Sequence, residues 1–289
     1  MAEVALILGA QGRFGRNAAQ ALAEAGWDIR RFDRARDSLD RAARGADLIV
    51  NGWNPAYPDW AAQVPRLTAD VIAAARASNA TVVVPGNVYV FGPTTPPPWS
   101  EHSPQAARNP LGRIRVEMEQ AYRSSGVRTI LLRAGDFLDT EASGNWFDRI
   151  MIPKLADGLF TSPGDPSVPR AWAFLPDMAR AVAALAARRA ELPAYAEIPF
   201  PGYTLSAAEI LGRLEAITGR SLRLKRMSWL PLQLAQPVWP MGRKLVEMRY
   251  LWDLPHWLDG RLFTHLLPEF TPTPVDRALA AAIPSALVR

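Results

Sequence analysis

The amino-acid sequence predicts an α/β fold, a doubly wound parallel sheet with a smaller, mostly helical C-terminal portion. Two observations support this fold class. Short apolar runs rich in β-branched residues alternate with helical patterns through the first two thirds of the chain, as in parallel sheets covered by helices. After about residue 190, prolines and tryptophans replace this alternation. We therefore expect a first domain over residues 1–170 and a mixed segment over residues 171–289 that completes the sheet.

A glycine-rich turn joins the first apolar run to the first helical pattern. The run Val4–Leu8 is followed by Gly9, Gly12 and Gly15. The first glycine would let the chain turn sharply, the second would let a pyrophosphate approach the backbone, and the third would let the helix lie close to the strand. Unpaired N–H groups in the first helical turn attract phosphate. The turn predicts a dinucleotide site with contacts from Gly9, Gln11, Gly12, Arg13, Phe14 and Gly15.

A second short strand is predicted at Trp27–Phe32 and ends in Asp33, 18 residues after Gly15. A carboxylate there is placed to accept hydrogen bonds from an adenosine ribose and would repel a 2′-phosphate, which favours NAD. Arg34 and Arg36 favour NADP instead, because a guanidinium can clamp that phosphate. We predict NAD as the cofactor, with NADP as the alternative, and count Asp33 and Arg34 among its contacts.

The later elements continue the alternation. The sequence predicts strands at Asp47–Val50, Thr81–Val84 and Val127–Leu132, and helices near Trp60–Ser78 and Arg113–Ser125. Only 13 residues separate Asp33 from Asp47, enough for one helix but hardly for two helices and a strand. We therefore expect one strand of the usual doubly wound sheet to be missing or vestigial. Asn51 follows the third strand and is a further predicted cofactor contact.

The C-terminal portion changes in character. Leu205–Thr218 is predicted as a helix capped by Ser206, with Glu209 three residues further on. Residues 227–270 then hold four tryptophans among many leucines and prolines. These aromatic residues are interpreted either as a lid over a substrate pocket or as the packing of a small helical subdomain, and the second interpretation is favoured for most of them. A membrane-surface role ranks low, because no clean amphipathic period is visible.

Composition excludes several classes of protein. The chain has 289 residues, no cysteine and three scattered histidines, so we expect neither disulfides nor a metal site. No apolar run approaches the ~20 residues of a membrane span, and no signal peptide is recognisable. The net charge of +5 comes mainly from arginine, without a nucleic-acid-binding motif. We predict a cytoplasmic protein that binds a small-molecule substrate and neither nucleic acid nor membrane.

Four segments occur in an order known from one superfamily. They are TVVVPGNVYVFG at Thr81–Gly92, NPLGRIRVEME at Asn109–Glu119, RAGDF at Arg133–Phe137 and WAFLPDMARA at Trp172–Ala181. Together with the glycine turn, they resemble the extended short-chain dehydrogenase/reductase superfamily of the NAD-dependent epimerase/dehydratase type. The resemblance implies a Rossmann-type sheet, a homodimer, and NAD(P)-dependent hydride transfer on a small hydroxyl- or carbonyl-bearing substrate.

The chain departs from that superfamily at its catalytic positions. Asn87 stands where the catalytic serine or threonine is expected. The Tyr-x-x-x-Lys pair, whose tyrosine transfers the proton, is replaced by Leu111 and Arg115. Leucine cannot transfer a proton, so the usual machinery cannot operate with these residues.

Two interpretations follow. In the first, Tyr89 has taken over proton transfer, with Arg115 as the fixed positive charge and Asn87 as a hydrogen-bond donor to the substrate. In the second, Tyr89 only packs at a strand end, and the protein is a non-catalytic dinucleotide-binding regulator like the NmrA-like members of the superfamily. The first interpretation is slightly favoured.

A further departure concerns the substrate. Asp136 stands where nucleotide-sugar enzymes of the superfamily carry an asparagine near the substrate diphosphate. A bare carboxylate would repel a diphosphate, so Asp136 indicates a substrate with hydroxyl or cationic groups, or else a structural carboxylate. Asn145, Trp146 and Trp172 are predicted to line the same pocket.

Overall fold

A computed structural model describes residues 2–289 and contains a central sheet of six parallel strands. The strands are β1 (Val4–Leu8), β2 (Asp28–Arg31), β3 (Leu48–Asn51), β4 (Thr81–Gly86), β5 (Thr129–Arg133) and β9 (Tyr195–Pro199). Their order across the sheet is β2-β1-β3-β4-β5-β9. The predicted doubly wound α/β fold is confirmed, and β9 completes the sheet from the C-terminal part of the chain.

The sheet lacks a strand beyond β2, as the short interval before residue 47 predicted. After β2 the chain makes only the short helix α2 (Leu39–Ala43) and then enters β3, on the other side of β1. The strand order therefore reverses at β1. In open α/β sheets, ligands bind at the carboxyl ends of the strands beside such a reversal, so the topology places the site above β1 and β3.

Both faces of the sheet are covered by helices. The helices α1 (Arg13–Glu24) and α5 (Leu175–Ala187) pack together on one face, and α3 (Trp60–Ser78) and α4 (Pro110–Ser124) pack together on the other. Side chains of β1 alternate between the two cores, with Ala5 and Ile7 on the first face and Leu6 and Leu8 on the second. A strand buried on both faces must be apolar throughout, which explains the uninterrupted run VALIL.

The rest of the chain forms a smaller portion around a third core. It has a sheet of β6 (Asp136–Leu138), β8 (Arg170–Phe174) and β10 (Tyr203–Leu205), and a pair of β7 (Leu159–Ser162) and β11 (Arg223–Arg226). Its helices are α6 (Ala207–Thr218), α7 (Leu230–Ala235), α8 (Pro240–Glu247) and α10 (Val275–Ala281), whereas α9 (Arg261–Leu266) packs against β9 on the first core. Within residues 2–289, no helix is long and apolar enough to cross a membrane.

Helix α6 begins two residues later than the sequence predicted. Leu205 ends β10, and Ser206 is the cap rather than a helical residue. The predicted capping box is present: the Ser206 hydroxyl accepts from the Glu209 N–H at 3.2 Å, and the Glu209 carboxylate accepts from the Ser206 N–H at 2.7 Å.

Candidate active site

A cavity of about 810 Å³ lies at the carboxyl ends of the sheet strands, between the sheet and the smaller portion. Its walls come from the glycine turn, from the loops after β3, β4 and β5, and from the segment around α8. Most of the residues predicted to form the site meet here: Gln11, Gly12, Arg13, Phe14, Asn51, Asn87, Tyr89, Arg115, Asp136 and Asn145 all line it.

The glycine turn has the geometry predicted for a pyrophosphate site. Gly9 has a φ of +71°, which favours glycine. A Cβ on Gly15 would lie 2.3 Å from the Gly9 carbonyl oxygen, so no side chain fits there. A Cβ on Gly12 would meet only that oxygen, at 3.2 Å, and would otherwise project at the cavity wall. Gly12 is thus the glycine whose missing side chain leaves room for a ligand.

The N-terminus of α1 is open toward the cavity. Gly12 is its N-cap, no side chain of residues 2–289 caps the helix, and its first turn contains no acidic residue. The first N–H groups of the helix and the positive end of its dipole are therefore free for an anion. This arrangement fits the pyrophosphate of a dinucleotide.

We predict that Gly15→Ala abolishes dinucleotide binding. The added methyl group would displace the Gly9 carbonyl and open the turn that presents the N–H groups of α1. Gly212→Ala is the matched control, since a Cβ at this position in α6 meets nothing within 4 Å. The control variant should bind NAD normally and gain about 0.5–1 kcal/mol in unfolding free energy. Calorimetric titration and urea denaturation measure both effects, and normal NAD affinity in Gly15→Ala would contradict the assignment.

The predicted adenosine contacts lie at the edge of the site. Asp33 and Arg34 are exposed and are not part of the cavity wall. The Asp33 carboxylate accepts from the Ala35 N–H at 2.9 Å, and the Arg34 guanidinium stacks on Trp53 at 4.6 Å. Asn51 is buried, and its amide donates to the Tyr122 hydroxyl at 3.0 Å. Asn51 therefore links the end of β3 to α4 in the cavity wall, and its side chain is only partly free to bind a ligand.

Tyr89 lies in the cavity wall and is hydrogen-bonded to a second tyrosine. Its hydroxyl is 2.6 Å from that of Tyr57, on the loop after β3. Burial raises the pKa of both hydroxyls, and that of Tyr89 well above its ordinary value, helped by nearby Asp136. Both phenols are therefore protonated near neutral pH, so Tyr89 can donate a proton and Tyr57 can replace it.

Arg115 is positioned by the same loop. Its guanidinium stacks on Trp60 at 4.0 Å and donates to the Asn54 side-chain oxygen at 2.6 Å. Its charge lowers the pKa of Tyr89, but burial outweighs this effect, so the role of Arg115 as a fixed charge beside Tyr89 stays a prediction. No hydrogen bond joins the two side chains within the described chain, so Arg115 can influence Tyr89 only through its charge. Its Nε is buried without a partner.

Asn87 follows β4 directly, and only the oxygen of its side-chain amide is hydrogen-bonded within the described part of the protein. Its oxygen accepts from the Tyr89 N–H at 3.0 Å, and its backbone carbonyl accepts from the buried Arg133. The amide nitrogen has no protein partner among residues 2–289 and lies in the cavity wall. It is free to donate to a substrate oxygen.

Leu111 occupies the position of the usual catalytic tyrosine and cannot take part in chemistry. Its side chain is fully buried, and its N–H donates at 2.7 Å to Glu247 at the end of α8. The structure thus agrees with the loss of the Tyr-x-x-x-Lys pair.

Asp136 requires a correction to the interpretation of the substrate pocket. Its carboxylate forms an ion pair with Arg170, whose guanidinium stacks on Trp252 at 3.5 Å. Because its charge is compensated, Asp136 gives no argument against a phosphate-bearing substrate. Sequence reasoning missed Arg170, since nothing in the sequence shows which cation meets Asp136.

Two other predicted substrate residues differ in placement. Asn145 lines the cavity, but its side-chain oxygen accepts from the Asp148 N–H at 3.0 Å, while its own N–H donates to the Asp148 carboxylate at 3.3 Å. The prediction for Trp172 was wrong: its indole is buried outside the cavity wall and donates to the Leu205 carbonyl at 3.0 Å. Trp172 belongs to the third core, whereas Trp146, also predicted to line the pocket, is in its wall.

Two arginines in the wall have no acidic partner. Within the described residues, the Arg13 and Arg149 side chains make no hydrogen bond or ion pair, and each lies 3.5 Å from the position of a Cβ on Gly144. They form a cationic rim at the mouth beside the N-terminus of α1. Arg149 could not be found from the sequence, because it follows no strand and belongs to no motif.

Comparisons with known proteins agree with this description. The sequence matches the model of the NAD dependent epimerase/dehydratase family over residues 5–198. No curated protein matches the chain.

Solved structures share the fold over the whole chain. UDP-glucose 4-epimerase from Brucella ovis, in complex with NAD, is 18% identical with a TM-score of 0.73, covering 100% of this chain and 99% of that one. WbmH from Bordetella bronchiseptica, in complex with NAD+, is 16% identical with a TM-score of 0.72, covering 98% and 97%. A nucleoside-diphosphate-sugar epimerase from Pseudomonas aeruginosa is 16% identical with a TM-score of 0.71, covering 97% and 96%.

The family match confirms the predicted resemblance and the predicted class, an NAD-dependent epimerase/dehydratase-like enzyme. The match extends from β1 to β9 and so includes the whole central sheet. By that match, which spans more than half of its length, the chain belongs to the NAD-dependent epimerase/dehydratase family.

Proposed function

We propose that the protein is an NAD-dependent reductase of a small carbonyl substrate, with Tyr89 as the proton donor. The observation that carries the proposal is the pair of protonated phenols, Tyr89 and Tyr57, in the wall of a cavity bordered by an anion-binding helix N-terminus. Near neutral pH the Tyr89 phenol is in its protonated form, which can donate a proton but would first have to lose one to act as a base. Reduction is therefore favoured over oxidation.

The bound dinucleotide would supply the hydride that adds to the carbonyl carbon. Tyr89 would donate its hydroxyl proton to the carbonyl oxygen, and the proton of Tyr57 would pass to Tyr89 across their hydrogen bond. The free amide nitrogen of Asn87 would donate a hydrogen bond to the same oxygen. The Arg115 charge would stabilise the transient tyrosinate. The product is the alcohol, and solvent returns the proton to Tyr57.

The substrate is proposed to be a small polyhydroxylated or carbonyl compound. Several structural neighbours are by their names nucleotide-sugar epimerases. With Asp136 neutralised by Arg170, the pocket tolerates a phosphate on the substrate, which Arg13 and Arg149 could bind. A panel of sugar-derived and simple carbonyl compounds, with and without phosphate, tests this proposal. We expect loss of the NADH absorbance band with at least one of them, and no turnover across the panel would contradict the proposal.

We predict that NAD binds more tightly than NADP, by about tenfold or more. The Asp33 carboxylate lies at the end of β2 and would repel a 2′-phosphate, while Arg34 is engaged with Trp53. Parallel calorimetric titrations of both dinucleotides measure the difference. Tighter binding of NADP would show that Arg34 and Arg36 clamp its phosphate instead.

Three further predictions accompany this proposal. The first domain is proposed to end at residue 170, the protein to form a homodimer, and its location to be cytoplasmic. Light scattering of the purified protein tests the dimer directly, with a mass of one chain as the contradicting result.

A further inference from the structure

Residues 220–249 expose most of the large apolar side chains that the protein presents to solvent. This stretch, here called the basic apolar segment, contains β11, α7, α8 and the turns between them. Leu230, Leu234, Val238 and Trp239 are 59%, 73%, 86% and 44% exposed. Elsewhere among the described residues, only Trp257 and Val288 are large apolar side chains with comparable exposure. Nothing in residues 2–289 covers this apolar surface.

The same segment carries the excess positive charge of the protein. It holds seven basic residues and one acidic residue, and the remainder of the chain holds 26 basic and 27 acidic residues. The acidic residue, Glu247, is already paired with Lys244 at 3.0 Å. The whole net charge of +5 is therefore due to these 30 residues, a local concentration that a general arginine bias does not explain.

Apolar and basic side chains meet at one turn. Trp239 packs on Gly242, where a Cβ would lie 2.5 Å from the indole ring. Arg243 reaches back to the Gln236 carbonyl at 3.4 Å, so its guanidinium lies beside the turn that carries Val238. Prolines break the segment into short helices, which explains why no long amphipathic period is visible in the sequence.

We propose that the basic apolar segment docks the protein on an anionic lipid surface. Leu234, Val238 and Trp239 would enter the boundary between headgroups and acyl chains, and Arg243 beside them, with the other basic residues of the segment, would interact with acidic headgroups. Exposed apolar side chains in a segment rich in basic residues match the chemistry of such a surface, and Trp favours the membrane interface. This proposal revises the expectation of no membrane partner and is independent of the proposed reaction.

Docking would bring the lipid surface next to the cavity. Helix α8 follows Trp239 directly, and its Leu245 lines the cavity wall. The same helix packs against the Tyr57–Asp59 turn, which carries the partner of Tyr89. A membrane-bound protein would therefore present its substrate pocket close to the bilayer.

Vesicle flotation of the full chain tests the proposal. We expect binding to vesicles of phosphatidylcholine with about 30% phosphatidylserine and little binding to phosphatidylcholine alone. Raising the salt from about 0.1 M to 1 M shortens the screening length from about 10 Å to 3 Å and should release the protein. The double variant Leu234→Asp, Val238→Asp should lower the partition coefficient by about tenfold or more.

Val288→Asp is the matched control, because it makes the same change at an exposed valine (39%) outside the segment. It should bind anionic vesicles like the unmodified protein, and circular dichroism should show all variants folded. Equal binding to neutral and anionic vesicles, or unchanged binding of the double variant, would overturn the proposal. Absence of vesicle binding by the unmodified protein would overturn it as well. If the double variant then changed the oligomeric mass, the segment would be a contact between copies of this chain.

Discussion

Tyr89→Phe is expected to slow carbonyl reduction by about 10²–10⁴-fold, the usual contribution of a general acid. The change removes the hydroxyl that is 2.6 Å from that of Tyr57 and keeps the ring, which packs against Trp60. NAD affinity should therefore stay within a few fold, and stability should change little. Steady-state kinetics with the best carbonyl substrate, together with calorimetric titration of NAD, measures these quantities.

Tyr195→Phe is the matched control for that experiment. The Tyr195 hydroxyl is buried without a partner in β9, outside the cavity wall. Its removal should leave turnover unchanged. Equal turnover of Tyr89→Phe and the unmodified protein would show that Tyr89 only packs at the strand end.

The pH profile provides a second test of the same role. A general acid works in its protonated form, so activity is retained below its pKa and lost as the pH rises through it. Burial places the pKa of Tyr89 well above its ordinary value. The reductive rate should therefore show no loss due to Tyr89 between about pH 7 and pH 9. A general base works in its deprotonated form, so a base with an equally raised pKa would be almost inactive between about pH 7 and pH 9.

Arg133→Met is expected to destabilise the protein by about 3–5 kcal/mol, because it leaves buried carboxylates without a counter-charge. The Arg133 guanidinium is fully buried and bonds the carboxylates of Glu119, on α4, and Glu197, on β9. It also donates to the Asn87 carbonyl. This network joins β5 to α4, to β9 and to the loop after β4 that carries Asn87 and Tyr89. Urea denaturation measures the loss in unfolding free energy.

Arg123→Met serves as the control for this network. Arg123 also pairs with Glu197, at 2.8 Å, but its side chain is 41% exposed. Solvent screens such a pair, so its loss should cost less than about 1 kcal/mol. Similar losses of unfolding free energy in Arg133→Met and Arg123→Met would contradict the view that burial of the ion pair determines how much its removal destabilises the protein.

The fold followed from the sequence wherever local patterns determine structure. The helix predicted at Trp60–Ser78 has these bounds, and the short interval after Asp33 correctly indicated the missing strand. Glycine spacing identified the turn because its constraints, positive φ and close approach, act on the backbone alone.

The candidate site was predicted less completely because its pairings are tertiary. Tyr57 and Asp136 meet their partners, Tyr89 and Arg170, across 32 and 34 residues of chain. No local pattern specifies such contacts. The rule that loops at the carboxyl edge meet one another could have pointed to Tyr57, since it follows β3. Trp172 was misplaced because an aromatic residue near a predicted pocket looks the same in sequence whether it faces the cavity or the core.

A crystal structure with bound NAD tests the central claim most directly. The measured quantity is the distance from the Tyr89 hydroxyl oxygen to the hydride-bearing C4 of the nicotinamide. If Tyr89 is the proton donor, the carbon and oxygen of one carbonyl group must fit between these atoms, so we expect a separation of about 4–6 Å, with the Asn87 amide on the same side of the ring. A nicotinamide bound with its C4 face turned away from Tyr89, or a phenol displaced behind Trp60, would contradict the proposed reaction and favour a dinucleotide-binding protein without turnover.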